Sequence, residues 1–73
     1  MSREWTQKTY NGESTIKYPY INKGQPHRPL FYVGLKIVSK EGKILHQVNE
    51  IGPFDRLKDG EIAISEKFLN EIQ

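Results

Sequence analysis

From Phe31 to Ile37 the chain places an apolar side chain at every second position: Phe31, Val33, Leu35 and Ile37. A period of two marks a strand with one face turned to a core. The stretch LFYVGLKIVS is also rich in the β-branched and aromatic residues that suit a pleated, half-buried surface. KEGK supplies a turn and KILHQVNEI returns, so an even loop sets Ser39 opposite Ile44, Ile37 opposite His46 and Leu35 opposite Val48. On this register Phe31, Val33, Leu35, Ile37, Ile44 and Val48 share the core face. Tyr32, Val38, Leu45 and Ile51 decorate the second face and form a candidate binding face. Gly34, in mid-strand, predicts a bulge or the close approach of another segment.

An earlier hairpin is predicted around YNGE. Asn11-Gly12 suits a two-residue type I′ turn, joining strands at about 4–10 and 13–18. That turn pairs Tyr10 with Glu13, Thr9 with Ser14, Gln7 with Ile16 and Trp5 with Tyr18. Trp5, Ile16 and Tyr18 then lie on one face and Thr6, Lys8, Thr15 and Lys17 on the other. Toward the C-terminus, GPFDRLKDG reads as a loop anchored by Phe54 and Leu57. GEIAIS reads as a fifth strand with Ile62 and Ile64 facing inward. Ser65 is positioned as the N-cap of a short final helix with Phe68, Leu69 and Ile72 on one side. The expected fold is therefore α+β and β-rich. About five antiparallel strands, two hairpins plus one strand, form a small sheet or partly open barrel with a short C-terminal helix. Residues 1–73 make a single small domain.

Composition narrows the function classes. The 73 residues contain no cysteine, which removes disulfides and thiolate metal sites and suits an intracellular, cytoplasmic setting. No apolar run approaches the roughly 20 residues that span a bilayer. The net charge is +2, but it is unevenly spread: residues 1–36 hold six basic and two acidic side chains, residues 37–73 five basic and seven acidic. Six of the eight aromatics lie in the basic half.

The connection between the hairpins, residues 19–29, carries Pro19, Pro26 and Pro29, which exclude a helix or a central strand there. It is either a stiff crossover or a candidate binding loop presenting Tyr20, Lys23, His27 and Arg28. KGQPHRP also fits the basic-x-x-P-x-x-P pattern of peptides that dock Src-homology 3 domains.

No motif assigns chemistry. There is no phosphate-binding glycine loop, nucleophile elbow or HExxH sequence. His46 alternates with core positions, and His27 reads as a loop residue. Glu50, Asp55, Asp59 and Glu61 read as a solvated acidic rim. The expectation is accordingly a non-enzyme with no cofactor, metal or small-molecule substrate and no membrane contact. Its partner is another protein, met as by an accessory or inhibitor protein. The alternative is a single-stranded nucleic-acid-binding β-barrel that uses the basic, aromatic half. That reading needs exposed aromatics for base stacking, so burial of Trp5, Tyr18 and Tyr32 counts against it.

Overall fold

The strand Phe31–Val38 (β3) is where the alternating pattern places it, and it is the centre of the core. A computed structural model describes the backbone of residues 3–10 and 14–72 and the side chains of Thr9 and residues 14–72. Among these, strands Arg3–Tyr10 (β1), Ser14–Asn22 (β2), β3 and Ile44–Phe54 (β4) form an open antiparallel sheet in the order β1-β2-β3-β4. A helix, Leu57–Ile72 (α1), packs on β3 and β4. The architecture is α+β as expected. The fifth strand and the barrel are not formed: four strands are described, and the sheet stays open.

The segment read as that fifth strand lies inside α1, which begins at Leu57 rather than after Ser65. Ile62 and Ile64 alternate as in a strand, but Leu57, Gly60, Ile64 and Phe68 recur at helical spacing, and this second period prevails. Gly60, Ile64 and Phe68 are buried, whereas Ile62 is 50% exposed. Ala, Glu, Lys and Leu fill much of the outward surface and favour a helix. Asp59 in the first turn suits the positive end of the helix dipole. Leu69 and Ile72, expected beside Phe68 on the core side, are about half exposed. Ser65 is no N-cap; its Oγ shares a 2.9 Å hydrogen bond with the Tyr18 hydroxyl, tying β2 to the helix. Phe54 ends β4 and Leu57 opens α1, so neither anchors a loop, although both pack against the core.

The β3–β4 register pairs Leu35 with Val48 and Ile37 with His46, as expected. Elsewhere it shifts. Val38, not Ser39, faces Ile44, which puts an extra β4 residue at the turn end. Between Val33 and Leu35, β4 advances three residues, from Ile51 to Val48, so a bulge lies opposite Gly34. A Cβ on Gly34 would stand 3.1 Å from the Val48 carbonyl oxygen, so Gly34 meets both the bulge and the close-approach expectations. Each extra residue reverses the facing of the residues beyond it on the strand. Ile51 therefore pairs with Val33 and packs toward the core, and Ile44 leaves the core face and is 51% exposed.

The β1–β2 pairing follows the expected register at the open end, with Glu4 opposite Pro19. It is offset by one near the turn, where Tyr10 faces Ser14, and the irregularity falls between Glu4 and Gln7. The Asn11-Gly12 turn and the side chains of Trp5, Thr6 and Lys8 lie outside the described residues. The second turn is described. Gly42 N–H donates to the Ser39 carbonyl at 3.0 Å, and Gly42 has φ 87°. A Cβ there would meet nothing within 4 Å, so Gly42→Ala carries only the conformational penalty of the left-handed region. The expected loss is about 1 kcal/mol, read from a urea titration.

The core is Val33, Leu35 and Ile37 of β3, Tyr18 of β2, Val48 of β4 and Ile64 and Phe68 of α1. No helix among the described residues is long and apolar enough to cross a membrane.

Candidate functional site: the outer face of the sheet

Alternation that turns Ile16, Tyr18 and Tyr20 toward the helix turns Lys17, Pro19 and Ile21 away from it. β3 contributes Tyr32, Lys36 and Val38 to the same outer face, and β4 adds Ile44 and Gln47. The register sets Ile21 beside Tyr32, Lys17 beside Lys36, and Val38 between Thr15 and Ile44. Two apolar pairs thus bracket a pair of lysines. A hollow of about 350 Å³ opens beside Lys36, lined also by Pro19, Ile44, Gln47 and Glu50. Ile21, Tyr32 and Val38 are half-buried by their neighbours. Among the described residues no element packs across this face, because α1 lies on the opposite one.

One end of the face is completed by the loop after β2. Asn22 Oδ1 accepts the N–H groups of Gly24 and Leu30 at 2.9 and 3.0 Å, and Lys23 N–H donates to the Leu30 carbonyl at 3.0 Å. Inside that frame Gln25 and Arg28 exchange backbone hydrogen bonds at 3.1 and 2.9 Å. The segment is therefore a miniature hairpin with Pro26 and His27 at its tip. It is not the extended polyproline helix that a Src-homology 3 ligand presents. Replacing Asn22 by Ala removes the acceptor shared by two N–H groups. It should cost about 1–2 kcal/mol and speed hydrogen exchange at Gly24 and Leu30 more than at Leu35.

The residues singled out in the sequence are divided by this geometry. Tyr32 and Val38 lie on the outer face as expected. Leu45 is displaced to the turn end, where it lines a hollow with Ser14, Ser39, Lys40 and Glu41, and Ile51 faces the core. Of the proposed binding loop, His27 and Arg28 are exposed in the hairpin. Lys23 lies with its Nζ 4.9 Å from the centroid of the Tyr32 ring. Tyr20 is not a loop residue: it belongs to β2 and packs edge-on against Phe31 at 5.9 Å. Pro19, Ile21, Lys36 and Ile44 were missed. Lys36 was available from the alternation of β3. Pro19 and Ile21 fell in the stretch assigned to the connection, whose prolines were read as excluding a central strand, yet β2 runs through Pro19 to Asn22 between β1 and β3. Ile44 was hidden by the shift at the turn.

His46 faces the helix, its ring 5.1 Å from that of Phe68 and its Nε2 3.6 Å from Glu71 Oε1. Glu50, Asp55 and Asp59 are exposed and Glu61 is half-buried. Among the described residues no three His, Asp or Glu side chains gather as a metal-binding group. No protein-family model, curated protein or solved structure matches the chain.

Proposed function

We propose that the chain is a small intracellular protein-binding module, of the accessory or inhibitor kind. It would act by contact rather than catalysis and dock its partner on the outer face of the sheet. The observation that carries this reading is the asymmetry of the two layers. One face of the sheet is covered by α1 over β3 and β4, with Tyr18 of β2 tied to Ser65 of the helix. The other offers Ile21, Tyr32, Val38 and Ile44 with no described element across them. A sheet face with apolar pairs and long basic side chains resembles the mixed composition of non-obligate interfaces.

The second reading, single-stranded nucleic-acid binding, draws on Lys17, Lys23, Arg28 and Lys36. Its stacking platform is reduced in part: Tyr18 is 2% exposed and Tyr20 packs on Phe31, whereas Tyr32 is only half-buried and the Trp5 side chain lies outside the described residues.

The test is affinity capture from the native cell with nuclease treatment, using wild type, Tyr32→Ala/Val38→Ser and the helix-flank control Leu69→Ser in parallel. A protein retained by wild type and Leu69→Ser but lost with the double variant supports the reading, since truncating one anchor costs about 2 kcal/mol or more. A protein lost with Leu69→Ser and kept by the double variant moves the interface to the helix and refutes it.

A further inference from the structure

We infer that the segment received by the outer sheet face is acidic, a carboxylate-bearing and partly apolar stretch of another protein; this rests on the protein-docking reading above. The fold separates charges that the net value conceals. The outer face and its loop carry Lys17, Lys23, Arg28 and Lys36 against Glu50 alone among the described residues. The opposite layer, α1, carries Asp59, Glu61, Glu66 and Glu71 against Lys58 and Lys67. A positive face complements a negative one, which steers encounter and selects among partners.

The placement of the lysines sharpens the match. Lys17 and Lys36 are direct cross-strand partners, an arrangement in which like charges repel. Both already have an interaction within the chain, yet an ammonium offers three donors, so a partner carboxylate can add to those contacts. Apolar pairs lie on both sides: Ile21 and Tyr32 four residues along, about 13 Å away, and Val38 with Ile44 two residues along, about 7 Å away. A partner with carboxylates flanked by apolar side chains at those intervals meets every feature of the face. The hollow of about 350 Å³ beside Lys36 has room for one of the apolar groups. Lys23 and Arg28 line a further hollow of about 430 Å³ under the loop hairpin, which extends the cationic track.

The same geometry disfavours a nucleic acid. Of the tyrosines whose side chains are described, Tyr32 alone lies on the outer face, and the Lys23 ammonium stands over its ring, where a base would have to stack.

The experiment is selection of a phage-displayed random peptide library on the immobilised wild-type protein, depleted on Tyr32→Ala/Val38→Ser. The recovered sequences should be enriched in Asp and Glu. Synthetic copies should bind wild type with affinity that falls as salt rises. They should bind Lys17→Glu/Lys36→Glu about tenfold more weakly, and Lys58→Glu/Lys67→Glu about as well as wild type. Urea midpoints of the variants confirm folding, and the salt dependence is read on wild type alone, so the answer does not depend on one variant. Neutral or basic peptides that still require Tyr32 overturn the charge assignment while leaving the docking face intact. If no recovered peptide depends on Tyr32 and a mixed-sequence oligonucleotide binds below micromolar concentration in a salt-sensitive manner, both the assignment and the docking reading fall.

Discussion

Gly60→Ala destabilises the protein by about 2 kcal/mol, although in an exposed helix interior the same change stabilises by about 1 kcal/mol. The reversal of sign comes from packing. A Cβ on Gly60 would lie 2.4 Å from Val33 Cγ2, 2.9 Å from Val33 Cβ and 3.1 Å from Phe54 Cδ2. None of these is the loose end of a flexible side chain. Val33 is fully buried on the central strand, so the helix must lift from the sheet or the strand must bend. Gly60 is thus the point at which the first turns of α1 touch β3, and the missing side chain sets the height of the helix. Urea titration of the single variant measures this directly. A stabilised variant would mean that the helix does not approach Val33 as described.

Ile64→Ala costs about 3 kcal/mol, while Ile62→Ala changes stability by less than about 0.5 kcal/mol. Ile64 is fully buried between the helix and the sheet, and Ile62 is half exposed on the helix flank. A chain of this length holds a total stability of roughly 4–11 kcal/mol, so loss of Ile64 removes a large share of it. The comparison matters more than either value. In a strand running through residues 61–65 the two isoleucines would share one face and respond alike. In α1 they lie two positions apart on a helix, far round from one another. Equal losses at both positions would contradict the helix.

The same pair shows where sequence reading stopped short. Short apolar alternation is compatible with a strand or a helix, and the deciding partners, Gly60 and Phe68, lie at spacings that matter only once a sheet is there to receive them. The β3 pattern was legible because Phe31, Val33, Leu35 and Ile37 keep a period of two and are buried from Val33 to Ile37, and the pairings Leu35–Val48 and Ile37–His46 came with it. β4 was not, because its extra residues leave no mark in local composition while reversing the facing of Ile44 and Ile51. The candidate face was accordingly half found. Tyr32 and Val38, on the regular strand, stand where expected; Leu45 and Ile51, on the irregular one, do not. The loop hairpin depends on Asn22 Oδ1 accepting from Gly24 two residues on and from Leu30 across the loop, and no proline pattern encodes these bonds.

Docking on the outer face is tested most directly by methyl NMR on isotope-labelled protein, titrated with the partner that wild type captures. The isoleucine, leucine and valine methyls divide the molecule into layers: Ile21, Val38 and Ile44 report on the outer face, Ile64 and Val33 on the core, and Ile62, Leu69 and Ile72 on the helix flank. Partner binding should shift Ile21, Val38 and Ile44 while Ile62, Leu69 and Ile72 hold their positions. Shifts concentrated on the helix flank, with the outer-face methyls unmoved, would contradict it.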